Sequence, residues 1–261
     1  MLTRILTAAV GLVVFFAAFF APPVYFAAAV LAVAAIMLFE MYKVAGCPIG
    51  VNIVGAMAAA LAAAGVLSDH FEAALIAGMM LYIGAAVFLH TKHKAADIFA
   101  HGFVTAYIAV FMCFLVKIKY DFRTGDLLWV FILSWLTDTG AYFAGISLGR
   151  HKLCEHISPK KTVEGAIGGV VLCTLACVLY TYLMTLFYPG LPAPYLKMAA
   201  MGAVGAVLSQ LGDLVASCIK RDRGAKDYGN ILPGHGGLMD RFDSVVFIAP
   251  FTYAALSFIL K

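Results

Sequence analysis

The 261-residue sequence is 64% hydrophobic and only 12% charged, about half the charge of an ordinary soluble domain. A deficit spread along the whole chain excludes a soluble globule and reads as an integral membrane protein. The formal net charge of +4 is no argument for nucleic acid, because in a membrane protein the placement of Lys and Arg matters more than their sum.

A helix needs about 20 apolar residues to cross the hydrocarbon of a bilayer. On that measure the chain holds nine candidate spans, at about 4–21, 24–42, 51–67, 71–90, 99–117, 127–147, 165–187, 196–219 and 243–260. The predicted fold is therefore an all-α, polytopic bundle of about nine transmembrane helices. Residues 1–20 share the outline of a signal peptide, but continuation into further spans and the lack of a small-residue cleavage site favour a retained first helix. The breaks fall at Pro22-Pro23, Gly46-Cys47-Pro48, Ser68-Asp69-His70, the His/Lys run at 90–94 and the Pro-rich stretch at 189–194, where helices end for lack of a donor or of backbone restraint. The apolar runs are continuous rather than alternating, which argues against transmembrane strands. The six cysteines show no metal-ligand spacing and read as small buried hydrophobes.

With the N-terminus inside, the cytoplasmic segments carry thirteen of the Lys/Arg residues: Arg4, Lys43, Lys92, Lys94, Arg150, Lys152, Lys160, Lys161, Lys220, Arg221, Arg223, Lys226 and Arg241. The opposite side carries five: Lys117, Lys119, Arg123, Lys197 and Lys261. The count selects a cytoplasmic N-terminus and an external C-terminus, with the 117–123 cluster dissenting. No internal repeat is evident, which weakens a transporter reading.

Two acidic residues inside predicted spans draw the argument, Asp138 in WLTDTGAYF and Asp213 in SQLGDLVAS. A charge at a helix centre costs about 2.5–3.5 kcal/mol on insertion scales and usually marks function; the competing reading is a structural hydrogen bond between helices. Ser209, Asp213, Ser217 and Lys220 recur on one helix face. Asp213 lies seven residues before Lys220, about 10 Å below the cytoplasmic mouth. Asp240 and Asp243 open the ninth span. Antiparallel packing of spans eight and nine would bring Asp213 and Asp240 together, and oxygen-only ligands suit Mg²⁺.

Beside these acids stand Lys220, Arg221, Arg223, Lys226 and Arg241 and the backbone donors of Gly234-His235-Gly236-Gly237, which glycine leaves free to point at an anion. A second basic loop runs from Gly149 to Gly165, in which Ser158 reads as a helix N-cap, Pro159 as the first helical residue, and Lys160 and Lys161 as phosphate-binding cations at a helix start. Positive-inside topology explains the charge of both loops but not the acids, His and glycines that share them. Composition and spacing reach this far: a membrane enzyme that handles a phosphorylated substrate with Mg²⁺.

The stretch Ser217-x-x-Lys220-Arg221-x4-Lys226-Asp227-x-Gly229-x3-Pro233-x-His235-Gly236-Gly237-x-x-Asp240-Arg241-x-Asp243 resembles the signature of the phosphatidate cytidylyltransferases, the CDP-diacylglycerol synthases. Ser209-Gln210-x-Gly212-Asp213-Leu214, Ser158-Pro159-Lys160-Lys161-Thr162-x-Glu164-Gly165 and Asp138-Thr139-x-Ala141-Tyr142 resemble further motifs of that family, in the expected order. The resemblance covers residues 130 to 245. It implies a nucleotidyltransferase of phospholipid biosynthesis in a bacterial inner membrane, its site facing the cytoplasm, condensing CTP with phosphatidic acid to CDP-diacylglycerol and pyrophosphate. It further implies Mg²⁺, with a monovalent cation such as K⁺ as a second ion. On this resemblance Asp213 and Asp240 form the metal pair, with Asp138 and Asp243 as candidates to join it. Lys220, Arg221 and Arg241 act with that pair in catalysis, while Lys160, Lys161, Ser217, Lys226, His235, Gly236, Gly237 and Asp138 bind substrate. Residues 1–126 then read as scaffold and 127–261 as the catalytic region, with cytoplasmic loops at 148–165 and 220–242. Small residues such as Gly202 and Gly205 permit close helix packing, within one subunit or across a homodimer. The rivals are an ion-coupled transporter using Asp138 and Asp213, and another lipid-phosphate transferase or lipid kinase.

Overall fold

The structure is a computed structural model that describes residues 2–46, 48–190, 193–234 and 236–260, the side chains of 2–6 and 8 excepted. Its helices are α1 (Leu2–Phe20), α2 (Pro23–Ala45), α3 (Ile49–Leu67), α4 (Phe71–Phe88), α5 (Ala95–Asp121), α6 (Thr124–Leu148), α7 (Val163–Phe187), α8 (Tyr195–Asp222) and α9 (Met239–Leu260). Eight of them, α2 to α9, are long and apolar enough to cross a membrane, and α1 contains the shorter apolar stretch Ala9–Phe20. The chain is an all-α integral membrane protein, as the composition requires. In hydrocarbon a helix is the element that satisfies its own backbone, and large side chains such as Phe16, Phe20, Phe88 and Phe103 stay exposed where lipid would cover them.

The chain divides into two compact units. The first comprises Met1–Thr124 and Arg223–Phe242. Pro22 and Pro23 start α2, where proline's missing donor costs nothing, and Gly46 closes it at φ 67°, a left-handed cap that favours glycine. Inside this unit four helices are tied by a buried polar network. Thr105 Oγ1 bonds Tyr42 Oη at 2.6 Å and Tyr82 Oη at 2.7 Å, while His101 bonds Tyr82 Oη and Asn52 Oδ1, each at 3.0 Å. A network in low dielectric is favourable when its members are satisfied.

Lys119 answers the charge cluster that dissents from the topology count. It is buried, donates to Phe19 O at 2.6 Å and Thr124 Oγ1 at 3.3 Å, and lies over the Phe19 and Phe26 rings. Lys117 pairs with Asp121 at 3.9 Å. Two of the three cations therefore bind within the protein rather than standing free at the membrane surface.

The second unit comprises Gly125–Asp222 and Asp243–Lys261. Here α6 and α7 cross closely because glycine lines both: a Cβ on Gly140 would meet Gly168 O at 2.9 Å, and one on Gly169 would meet Thr137 O at 2.8 Å. Gly202 packs on Cys177 and Thr174, and Gly205 on Leu133 and Phe251. Both glycines are thus spent within the chain, which removes them as an argument for a homodimer.

One sequence expectation changes here. Ser158–Thr162 is not the first turn of a helix but strand β2, paired antiparallel with β1 (Lys152–Cys154) in a hairpin outside the long helices. The N-cap is Thr162, whose hydroxyl accepts from Gly165 N at 3.1 Å; proline's fixed φ suits an edge strand as well as a first helical turn. The segment Arg223–Phe242 groups with the N-terminal helices in the first unit, where a carboxyl group on α2 accepts from its backbone.

Candidate active site

The second unit gathers three acids from three helices. Asp138 stands on α6 directly after a π-helical turn, Ile132–Leu136, the kind of bulge that often accompanies functional sites. Asp213 comes from α8 and Asp243 from the part of α9 in this unit. The charge of Asp213 acts on Asp138 and on Asp243, and Asp138 acts on Asp243. Lys161 acts on Asp138 and Lys220 on Asp243. Lys161 Nζ also pairs directly with Asp213 Oδ2 at 2.5 Å, and Ser217 donates to Asp213 Oδ1 at 3.4 Å.

The helix face expected from spacing is real. Ser209, Ser217 and Lys220 are buried and Asp213 is half-buried. With all five charged groups ionised, the three carboxylates and two lysines carry a net −1. One divalent cation would turn that to +1, a favourable charge for a polyphosphate.

Among the described residues no group of three or more His, Cys, Asp or Glu side chains is arranged to hold a metal ion. Mg²⁺ does not need one: it is commonly held by one or two carboxylates, with water and substrate phosphates completing its shell. The donor set fits on a second count. Ser209 Oγ, one turn before Asp213 on the same face, is buried without a hydrogen-bond partner among the described residues, an oxygen left for water or a ligand.

The basic hairpin is held at its base by Glu164, which accepts from Arg150 N at 3.0 Å, His151 N at 3.2 Å and the His151 ring at 2.5 Å. Arg221 Nε donates to Ile157 O at 3.3 Å and Lys152 Nζ to Pro159 O at 2.6 Å. Lys160 remains exposed. The hairpin is thus fixed on the unit's own backbone with Lys161 turned to Asp213.

The first unit holds the other half of the signature: Lys226, Asp227, Gly236, Gly237, Asp240 and Arg241. Gly234 and Gly236 adopt φ 79° and 82°, values that favour glycine, and Leu232 N donates to Gly236 O at 3.0 Å to close the turn. Asp240 Oδ2 accepts from Tyr228 N at 2.8 Å and Gly237 N at 3.0 Å. The Gly237 donor, expected to face an anion, is therefore turned inward to a carboxylate. Lys226 and Arg241 are exposed; His235 lies outside the described residues.

Sequence reasoning passed over Glu40. It lies inside the second predicted span yet reads as an interfacial residue, being near that span's end. It is 2% exposed and accepts from Leu238 N at 3.1 Å and Met239 N at 2.9 Å. The available signal was a lone acid in an otherwise apolar helix, the criterion that singled out Asp138 and Asp213.

Comparison with known proteins decides the family. The model of the cytidylyltransferase family matches residues 2–259. The chain belongs to the cytidylyltransferase family. It is similar to a phosphatidate cytidylyltransferase of Bacillus subtilis (strain 168), 44% identical over 162 residues, which are 60% of this chain and 58% of that protein. Proteins of the same name from Staphylococcus haemolyticus (strain JCSC1435) and Staphylococcus aureus (strain COL) are 45% identical over 124 residues and 43% identical over 148. Those matches cover 48% and 56% of this chain and 46% and 54% of the relatives. The chain spans about half the length of the relatives it matches. The motif resemblance is upheld at the level of the family.

Proposed function

We propose that the chain is a phosphatidate cytidylyltransferase: it condenses CTP with phosphatidic acid, giving CDP-diacylglycerol and pyrophosphate. The observation that carries this is the cluster in the second unit, where Asp213 pairs with Lys161 and accepts from Ser217, with Asp138, Asp243 and Lys220 close enough for their charges to count. Family membership and the similarity to phosphatidate cytidylyltransferases support it.

In the reaction a phosphate oxygen of phosphatidic acid attacks the α-phosphorus of CTP, the bond from that phosphorus to the β-phosphate bridge breaks, and pyrophosphate leaves with the bonding pair. No protein nucleophile is required; positioning and charge neutralisation provide most of the rate. Lys161, Lys220 and Arg221 hold phosphate oxygens, with Lys160, Lys226 and Arg241 as further cations. Ser217 orients Asp213. Asp213, with Asp138 or Asp243 as a second carboxylate, would hold Mg²⁺, which when bound neutralises phosphate charge and orients the reacting oxygens. The pairing of Asp213 with Asp240 is a proposal carried by the motif alone, and so are a second, monovalent ion and the roles of His235 and Gly236. We place the site on the cytoplasmic face of a bacterial inner membrane. The Lys/Arg count supports this, and the internal contacts of Lys117 and Lys119 weaken the one dissent.

The test is the protein in detergent with CTP, phosphatidic acid and Mg²⁺. CDP-diacylglycerol and pyrophosphate should form in equal amounts. Folded protein that yields neither overturns the assignment.

A further inference from the structure

We infer that Glu40 is a positioning residue that anchors the signature loop from α2. Glu40 and the loop both lie in the first unit. The carboxyl group is almost fully buried, and both oxygens accept: Oε1 from Leu238 N at 3.1 Å and Oε2 from Met239 N at 2.9 Å. These are donors of the entry to α9, where backbone N–H groups have no partner within the helix and a negative group is favoured. A buried carboxyl in a membrane helix is costly unless such donors meet it.

Two glycines of the signature fit the same interpretation. A Cβ on Gly237 would meet Glu40 Oε2 at 2.5 Å, and one on Gly229 would meet Glu40 Oε1. Both are small because the Glu40 side chain occupies the space beside them. Gly229 has no positive φ, so backbone conformation gives it no separate reason to be glycine. Asp240 grips the loop from the other side through Tyr228 N and Gly237 N. Two carboxyl groups thus take four backbone donors between residues 228 and 239, and the loop that carries Lys226, Asp240 and Arg241 is held to a helix nearly two hundred positions earlier in the chain. Glu40 touches no reacting atom; it acts by fixing residues that do.

The kinetic arm of the test rests on the transferase reading, and the exchange arm does not. Glu40→Gln replaces one accepting oxygen by an NH₂ group that opposes a backbone donor; Gly229→Ala leaves Glu40 intact but displaces it. Backbone hydrogen exchange in detergent should accelerate at Leu238 and Met239 by about tenfold or more in both variants. With thermal stability near wild type, kcat should fall by about tenfold to a hundredfold while KM for phosphatidic acid changes little. Unchanged exchange at both amides in Glu40→Gln overturns the anchor. Accelerated exchange with unchanged kcat overturns the positioning role. A wild-type protein that makes no CDP-lipid sinks the transferase reading, and the exchange result then decides the anchor alone. If Glu40→Gln does not fold, Gly229→Ala is judged by the same two readouts.

Discussion

In the second unit the Lys161 ammonium meets the Asp213 carboxylate at 2.5 Å, joining hairpin strand β2 to helix α8. The side chains of Lys161 and Asp213 are 24% and 27% exposed, but Nζ itself is shielded from water, so the attraction within the pair is largely offset by the cost of desolvating the ammonium. Its value lies in placement: a cation is held against an acid that sits on the polar stripe of a membrane helix.

Removing either partner should therefore damage function more than folding. Asp213→Asn is expected to lower turnover by orders of magnitude with little loss of expressed, folded protein. Lys161→Ala should mainly raise the KM for CTP. In a double-mutant cycle on kcat/KM the two should couple by about 0.5–3 kcal/mol, as contacting residues do. Strict additivity would mean that the ion pair is incidental.

Asp240→Ala, which removes the accepting oxygen, has a different signature from Asp213→Asn. One oxygen of Asp240 accepts two backbone donors, and leaving a donor unmet costs about 1–3 kcal/mol. The variant should lose activity together with protection of the Tyr228 and Gly237 amides. Loss of activity with full protection would point to a role in ligand binding alone.

Lys119→Ala should be a stability variant. It removes the bonds to Phe19 O and Thr124 Oγ1 and the contacts with two aromatic rings. Loss of charge-assisted bonds of this kind costs about 1.5–3 kcal/mol, or several degrees in Tm for a chain of this size. Turnover measured well below Tm should be unchanged.

Gly168→Leu tests the α6–α7 crossing. A Cβ at Gly168 already meets Ala144 Cβ, so a larger side chain must push the helices apart, at a cost of about 1–3 kcal/mol. Asp138 rides on α6 and the hairpin leads into α7, so kcat should fall as well. A variant with wild-type Tm would show that the crossing yields easily.

Much of the fold was legible because membrane helices are read by length and polarity, both local properties. All eight long spans coincide with predicted ones. Asp138 and Asp213 stood out for the same reason, as acids where acids are costly, whereas Asp243 entered through the motif that opens the ninth span. The hairpin was misread because Ser-Pro is compatible with both a helix start and an edge strand, and pairing with Lys152–Cys154 chose between them. That Gly237 N meets Asp240 was not legible, because a glycine-rich turn exposes donors without saying which acceptor takes them.

Sequence by itself determined the class of protein, the spans and the family, and it proposed the charged residues of the site. Each follows from composition or from residues close together along the chain. Tertiary structure alone decided that Glu40 grips Leu238 and Met239 across nearly two hundred positions, that Lys119 is bound to the end of α1, and that Lys161 reaches Asp213. A hydrogen bond depends on where folding brings donor and acceptor, and no local spacing encodes a partner so distant.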